Sequence, residues 1–287
     1  MEQKSFQTSE KGKLYLVPTP IGNLDDMTFR ALAILKEVDL IAAEDTRHSG
    51  LLLQHFQIKR PLVSLHEHNY AKRVPELIAK LSSGLSVAQI SDAGMPSISD
   101  PGHELVLAAI KNQIDVISLP GPSAGITALI ASGLSAEKFT FIGFLPRKNS
   151  EQKKELEKLK LIETTLIFYE SPFRIAKTLN NIQLVFGADT KVVLARELTK
   201  KFESYYRGTV ADALVFLQQN AARGEYVLLV EKIPEKTIFS ARSLIQRIEQ
   251  DIKKGTKPID AIKAVAKTTG LSRADVYEIY HKEKDDV

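Results

Sequence analysis

Five segments of this chain carry more glycine, proline and small polar residues than packing asks for, at positions 18–23, 44–47, 66–69, 91–102 and 120–125. Each follows an apolar run, and ligands of open parallel sheets bind where the strands end. In 91–102 the glycines and short side chains let backbone approach a ligand closely, and Asp92 at the head of the loop can anchor a ribose hydroxyl or an ammonium group. The same residues also suit a tight strand-to-helix loop capped by Asp92 and Asp100. Neither Gly-x-Gly-x-x-Gly nor Gly-x-x-x-x-Gly-Lys-Ser/Thr occurs in the chain, so the common dinucleotide and triphosphate cradles are missing.

Gly121-Pro122-Ser123-Ala124-Gly125 matches the nucleophile elbow of hydrolases. In that arrangement the acid and the histidine follow the serine, and His281 is the one histidine that does. A joining turn in which Ser123 caps the next helix or touches a ligand is the better reading. His66 and His68 alternate as on a strand end and would share a face, but a histidine pair without a placed third ligand is a weak metal site; they read as polar residues of a substrate cleft or as a structural pair. Glu44, Asp45 and Arg47 put two acids and a guanidinium directly after an apolar strand, which favours a cleft wall over a merely solvated surface. The charged stretch 148–160 reads as the exposed face of a helix and receives no function.

Apolar runs at 14–17, 40–43, 62–65, 86–90 and 116–119 alternate with helical patterns at 28–38, 73–82 and 102–111, with Asp25, Asp26 and Thr28 as N-cap candidates. Beyond the turn at 120–122 the alternation resumes. A small-residue helix runs through Gly133, strands are expected at 139–144, 165–169, 191–195 and 226–230, and helices at 150–161, after Pro172 and at 209–219. Such alternation predicts an α/β fold of mostly parallel sheets with helices on their faces. The expected organisation is a loose arm over 1–12, two α/β domains over 13–120 and 121–235 with a cleft between them, and a helical basic extension over 236–287. In the extension, patterns at 258–269 and 272–282 separated by Gly270-Leu271 have the spacing of a helix-turn-helix; a three-helix appendage is the plainer alternative.

The chain has 287 residues, 44% hydrophobic and 26% charged, the balance of an ordinary globular protein. It has no cysteine, which removes thiol catalysis, cysteine-bound metals and disulfides. The opening residues lack the apolar core of a signal peptide and no run approaches the ~20 apolar residues of a membrane span, so a cytoplasmic protein without membrane association is expected. The net charge of +4 is mild, but 236–287 holds eleven Lys and Arg against eight Asp and Glu, so most of the excess is local.

Taken together, eight segments resemble the tetrapyrrole methylase superfamily, and within it the branch that modifies small-subunit ribosomal RNA. They are PTPIGNL at 18–24, AAEDTR at 42–47, HEHN at 66–69, SDAG at 91–94 with ISDPG at 98–102, PGPSA at 120–124, GFLPRK at 143–148, FYESP at 168–172 and ARELTK at 195–200. The likeness spans about residues 13 to 233, and the tail resembles the helix-turn-helix extension of that branch. The resemblance implies S-adenosylmethionine held between two α/β domains, a homodimer, and 2′-O-methylation of a cytidine ribose in 16S rRNA, free or within the 30S subunit, without a metal. The cofactor would touch Ile21, Asp92, Gly94, Met95, Ser97 and Ile98 from the first domain. From the second it would touch Ser123, Ala124, Tyr169, Leu198, Glu225 and Tyr226. Met95 stands where many relatives carry a small threonine.

Methyl transfer to a hydroxyl is an in-line displacement governed by positioning, and a ribose hydroxyl gains from a nearby base. Glu44, Asp45, His66 and His68 are the candidates. Asn23, Arg47, Asn69, Arg147, Lys148, Arg196 and Lys200, with Lys201, are expected at the RNA, together with Arg242, Arg247, Lys253, Lys254, Lys257, Lys263, Lys267 and Arg273 of the tail. Two alternatives remain open at this level. One is a methyltransferase acting on a tetrapyrrole or other small molecule; the other is an RNA-binding factor without chemistry.

Overall fold

The computed structural model describes residues 3–4, 10–98, 102–231, 241–269 and 271–282. The chain divides into a larger unit over 1–232 and a smaller one over 233–287.

In the larger unit the first sheet comprises β1 (Leu14–Leu16), β2 (Leu40–Ala43), β3 (Leu62–Ser64), β4 (Val87–Ile90) and β5 (Val116–Ser118), in the order β3-β2-β4-β1-β5 with every pair parallel. Strands β2 and β4 are buried at every residue, as parallel strands covered on both faces are, with Gln89 the one polar residue among them. Helices α1 (Phe29–Glu37), α2 (Thr46–His55), α3 (Tyr70–Ser82) and α4 (His103–Lys111) accompany the sheet. Alternate strand residues feed two cores, one containing Leu35, Ile41 and Ala88, the other Leu77, Val87 and Leu105. Thr28 caps α1, its Oγ1 accepting from the Ala31 N–H at 3.1 Å. Asp25 and Asp26 are not caps of that helix: they belong to a separate 3-10 turn, Leu24–Asp26, which Asn23 caps. Much of the expected arm over 1–12 lies outside the described residues, though the Gln3 side chain exchanges two hydrogen bonds with the Val116 backbone.

The second sheet is built from β6 (Phe139–Phe144), β7 (Thr165–Glu170), β8 (Lys191–Arg196), β9 (Ser204–Thr209) and β10 (Tyr226–Val230), in the order β6-β7-β10-β8-β9. The expectation of mostly parallel strands fails here, because only β6 and β7 run parallel. Residues 197–203 are too few for a crossover, so β8 turns back directly into β9. Helix α8 (Val210–Gln219) then returns the chain in that reversed direction, and β10 enters antiparallel to both neighbours. Helices α5 (Ala124–Ser132), α6 (Asn149–Leu159) and α7 (Ile175–Phe186) complete the unit. Phe168 and Leu228 point into one core and Ile167 and Leu229 into the other, as period-two strands require.

The smaller unit contains α9 (Ala241–Lys253), α10 (Pro258–Thr269) and α11 (Arg273–Lys282), packed through Leu244, Ile248, Ile262, Val265, Val276 and Tyr280. Ser272 caps α11 by accepting from the Asp275 N–H at 3.1 Å. The two helices expected from the sequence are joined by a third, α9, on the same core.

Candidate active site

A cavity of about 490 Å³ lies between the strand ends of the first sheet and the second sheet. Its first wall is the segment after β4. The Thr19 N–H donates to the Gly94 carbonyl and the Gly94 N–H to the Thr19 carbonyl, both at 3.0 Å, while Thr19 Oγ1 donates to the Ser91 carbonyl. These bonds hold 91–94 against 18–20. Gly94 has φ +77°, and a Cβ there would stand 3.3 Å from the Ile21 side chain, so glycine suits both the backbone and the cavity wall. Asp92, Gly94, Met95 and Ile98 line this side. Ser97 does not; its φ is +67° and its Oγ accepts from the buried Gln89 amide at 3.0 Å, which anchors the loop from behind. Ser99, Asp100 and Pro101 lie outside the described residues.

The end of β2 separates the candidate bases. Glu44 lines the cavity, and burial, reinforced by the charges of Asp92 and Glu67 and opposed by His66, pushes its pKa above the ordinary carboxylate value. Asp45 instead caps α2. Its carboxylate accepts from the Arg47 N–H at 2.8 Å and from the Arg47 guanidinium at 2.7 Å, and those bonds hold it well below the usual range. The Asp45 N–H donates to Asp92 Oδ1 at 3.2 Å, tying the ends of β2 and β4 together.

His66 and His68 do not alternate on a strand, because β3 stops at Ser64 and they lie in the turn before α3. Asn69 makes that turn: its Oδ1 accepts from the His66 N–H at 3.0 Å and its amide donates to Ser64 Oγ at 3.0 Å. The His66 and His68 rings are 5.9 Å apart, and His68 is largely exposed beside Glu67. Neither ring lines the cavity.

The second sheet closes the other side. Ser123, at the N-terminus of α5, makes no side-chain capping bond and faces the cavity with Ala124. The Gly125 N–H donates to the Tyr169 hydroxyl at 3.3 Å, and the Tyr169 ring meets Phe141 and Phe144 edge-on. Leu198, Glu225 and Tyr226 stand opposite the Gly94 loop. Eleven of the twelve residues expected at the cofactor therefore share one cavity, Ser97 being the twelfth.

Lys200 occupies a different place from a free phosphate ligand. Its Nζ lies 3.0 Å from Glu197 Oε1 and 2.7 Å from Glu225 Oε2, and its stem covers Gly22, where a Cβ would come within 2.5 Å of Lys200 Cγ. Burial works against the ammonium, but the hydrogen bonds to Glu225 and Glu197 outweigh it and raise the lysine pKa. The Glu225 N–H, and then Lys200, hold Glu197 below the usual carboxylate value. Of the other expected RNA contacts, Arg47, Arg147 and Lys148 are exposed, whereas the Arg196 Nε is buried without a hydrogen-bond partner among the described residues. Phe144, Glu170, Ser171, Pro172 and Ala195 also line the cavity and had received no role, although each falls inside one of the eight segments.

Four carboxylates, those of Glu44, Asp92, Glu170 and Glu225, on largely apolar walls suit a ligand with hydroxyl or cationic groups and a flat apolar part. The model for tetrapyrrole (corrin/porphyrin) methylases matches residues 13–214. The chain belongs to the tetrapyrrole methylase family. Membership places it among methyltransferases. It is 52% identical over 283 residues to ribosomal RNA small subunit methyltransferase I of Streptococcus pyogenes serotype M3, covering 97% of this chain and 98% of the relative. With the Bacillus subtilis protein of the same name it shares 44% over 286 residues, 97% and 98% of the two chains. Among solved structures, diphthine synthase matches with TM-score 0.60 and 13% identity, over 77% of this chain and 90% of that one. Uroporphyrin-III-C-methyltransferase from Thermus thermophilus gives 0.56 and 24%, over 77% and 95%. At those identities the tetrapyrrole methylase fold is what is shared.

Proposed function

We propose that this chain transfers a methyl group from S-adenosylmethionine to small-subunit ribosomal RNA, the acceptor being the 2′-oxygen of a cytidine ribose. The observation that carries the proposal is the cavity itself, where Glu44 and Asp92 face the wall formed by Tyr169, Leu198 and Tyr226. S-adenosylmethionine combines an ammonium group, ribose hydroxyls and a flat adenine, and when bound it supplies a methyl group on a positively charged sulfur. Asp92 fits its hydroxyl or cationic groups. Ile21, Leu198 and Val227 fit the flat apolar part, and Gly94 keeps side-chain bulk out of the space.

Glu44 is assigned as the base because, of the four candidates, it alone lines the cavity, while Asp45 is spent on Arg47 and on the α2 cap. Its raised pKa suits it to accept the ribose hydroxyl proton nearer neutral pH. The remaining walls hold the acceptor oxygen in line and exclude water. An RNA acceptor, rather than a tetrapyrrole, is supported by relatives at 44–52% identity that carry the rRNA name. It is supported too by the smaller unit, whose Lys253, Lys254, Lys257, Lys263 and Lys267 are all exposed. The Arg242 side chain lies outside the described residues. The homodimer and a cytoplasmic setting belong to the same reading.

Mass spectrometry of small-subunit rRNA fragments from cells with and without the gene tests the proposal, together with calorimetry of S-adenosylmethionine on the purified chain. One ribose methyl group should disappear and return with the wild-type copy. Unchanged fragments would refute the acceptor, and saturable cofactor binding alone would leave a small-molecule methyltransferase.

A further inference from the structure

Phe173 is 96% exposed, on the turn between β7 and α7. Two residues of that turn, Ser171 and Pro172, line the cavity. Phe144 also lines the cavity, at the end of β6, and is 59% exposed. These two phenylalanines stand on loops that both line the cavity, so a ligand entering the cavity passes beside them.

The two loops are tied into one body. Arg174 Nη2 donates to the carbonyls of Leu145 and Pro146 at 2.8 and 3.2 Å, which fastens the turn carrying Phe173 to the loop that follows Phe144. Arg174 Nε in turn lies 3.2 Å from Glu170 Oε1, and the Glu170 side chain is 1% exposed. Its carboxylate also accepts from the Ser171 N–H at 2.9 Å and the Thr178 hydroxyl at 2.7 Å. The same loop continues into Arg147 and Lys148, both exposed. Lys148 is shared with Glu151 at 3.1 Å, and Arg147 makes no ion pair among the described residues.

We propose that Phe144 and Phe173 form a stacking site for an unpaired nucleobase at the mouth of the cavity, with Arg147 and Lys148 neutralising the phosphates beside it. The occupant is a single-stranded segment of RNA, and the inference rests on RNA being the acceptor. Aromatic rings accept any base face, and cations on the adjoining loop match a polyanion rather than a protein surface. A ribose that enters the cavity leaves its stack, and the rings replace the lost stacking for its base or a neighbour's. The Arg174 bonds fix the backbone of both loops before RNA arrives, so little loop ordering remains to be done on binding.

The test compares the wild type with Phe173→Ala, Phe144→Ala and Phe173→Trp. Phe173 packs against almost nothing, so its variants should fold. The probe is a single-stranded oligoribonucleotide containing 2-aminopurine, whose fluorescence is quenched by stacking, read beside methylation kinetics on small-subunit rRNA. Phe173→Ala should weaken oligonucleotide binding and raise KM for RNA roughly tenfold or more, with loss of quenching. Its S-adenosylmethionine affinity and its mass in solution should stay unchanged, and Phe173→Trp should restore binding. Wild-type affinity and quenching in both alanine variants would overturn the inference while methylation by the wild type still stood. So would a change of oligomeric mass, which would give the rings to a second copy of the chain. A wild type that neither binds the oligonucleotide nor methylates rRNA would remove the functional reading along with the inference.

Discussion

Replacing Thr178 by valine tests the buried network behind the cavity without touching the cavity. Thr178 is 1% exposed; its Oγ1 donates to Glu170 Oε2 at 2.7 Å and accepts from Gln152 Nε2 at 3.1 Å. Valine keeps the shape and removes the hydroxyl, which leaves a buried carboxylate oxygen and a buried amide N–H each short of a partner. At about 1–3 kcal/mol per group, more where a charge is involved, the loss should come to about 3 kcal/mol. For a unit of this size that corresponds to a fall in Tm of roughly 6–12 °C. Serine at the same position keeps both hydrogen bonds and gives up one buried methyl, about 1 kcal/mol. Urea titration and calorimetry of the full chain, read on the transition of the larger unit, measure both variants. A Thr178→Val protein within about 0.5 kcal/mol of wild type, or a serine variant as damaged as the valine one, would refute the reasoning.

Glu44→Gln should lower kcat by roughly 10²–10⁴-fold, the usual contribution of a general base. In the wild type, activity should fall as pH drops through the raised Glu44 pKa, and this acidic limb should vanish in the glutamine variant; its persistence in a pH–rate profile would argue against Glu44 as base. Stability should move the other way: a carboxylate with a raised folded pKa costs stability once pH exceeds its unfolded value, so Glu44→Gln should be at least as stable as wild type at pH 7 and lose that advantage in acid. Lys200→Met keeps the stem over Gly22 but removes the charge between Glu197 and Glu225, and calorimetry should show S-adenosylmethionine binding roughly tenfold weaker, about 1.4 kcal/mol. Unchanged cofactor affinity with weaker RNA binding would return Lys200 to the role of a phosphate ligand.

Much of this architecture was legible because buried parallel strands read as nearly unbroken apolar runs. Leu40–Ala43 and Val87–Ile90 are covered on both faces, and Gln89 alone interrupts them. Strand β9 was not legible: Ser-Tyr-Tyr-Arg-Gly-Thr lies at a sheet edge, where half-buried residues need not be apolar. With β9 unread, the reversal that makes the second sheet antiparallel could not be anticipated. Helix α2 was hidden because Asp45 serves both as its cap and as a partner of Arg47, and the segment read as a polar loop. Loop chemistry placed Asp92, Gly94 and Ser123 near a ligand, but spacing cannot separate Glu44 from Asp45: burial beside Asp92, distant in sequence, raises the pKa of the first, whereas Arg47, two residues on, lowers that of the second. Lys200 is similar: its two acidic partners become neighbours only once the β8–β9 turn and the start of β10 are folded together.

The cavity between the two sheets has a thermodynamic side effect. Its two walls belong to separately wound sheets of the one larger unit, so a molecule seated there acts as a rivet between the two layers. Saturating that molecule at a hundred times its dissociation constant adds about 2.7 kcal/mol to the joined state. Heating should therefore melt the larger unit at a higher temperature when the rivet is in place.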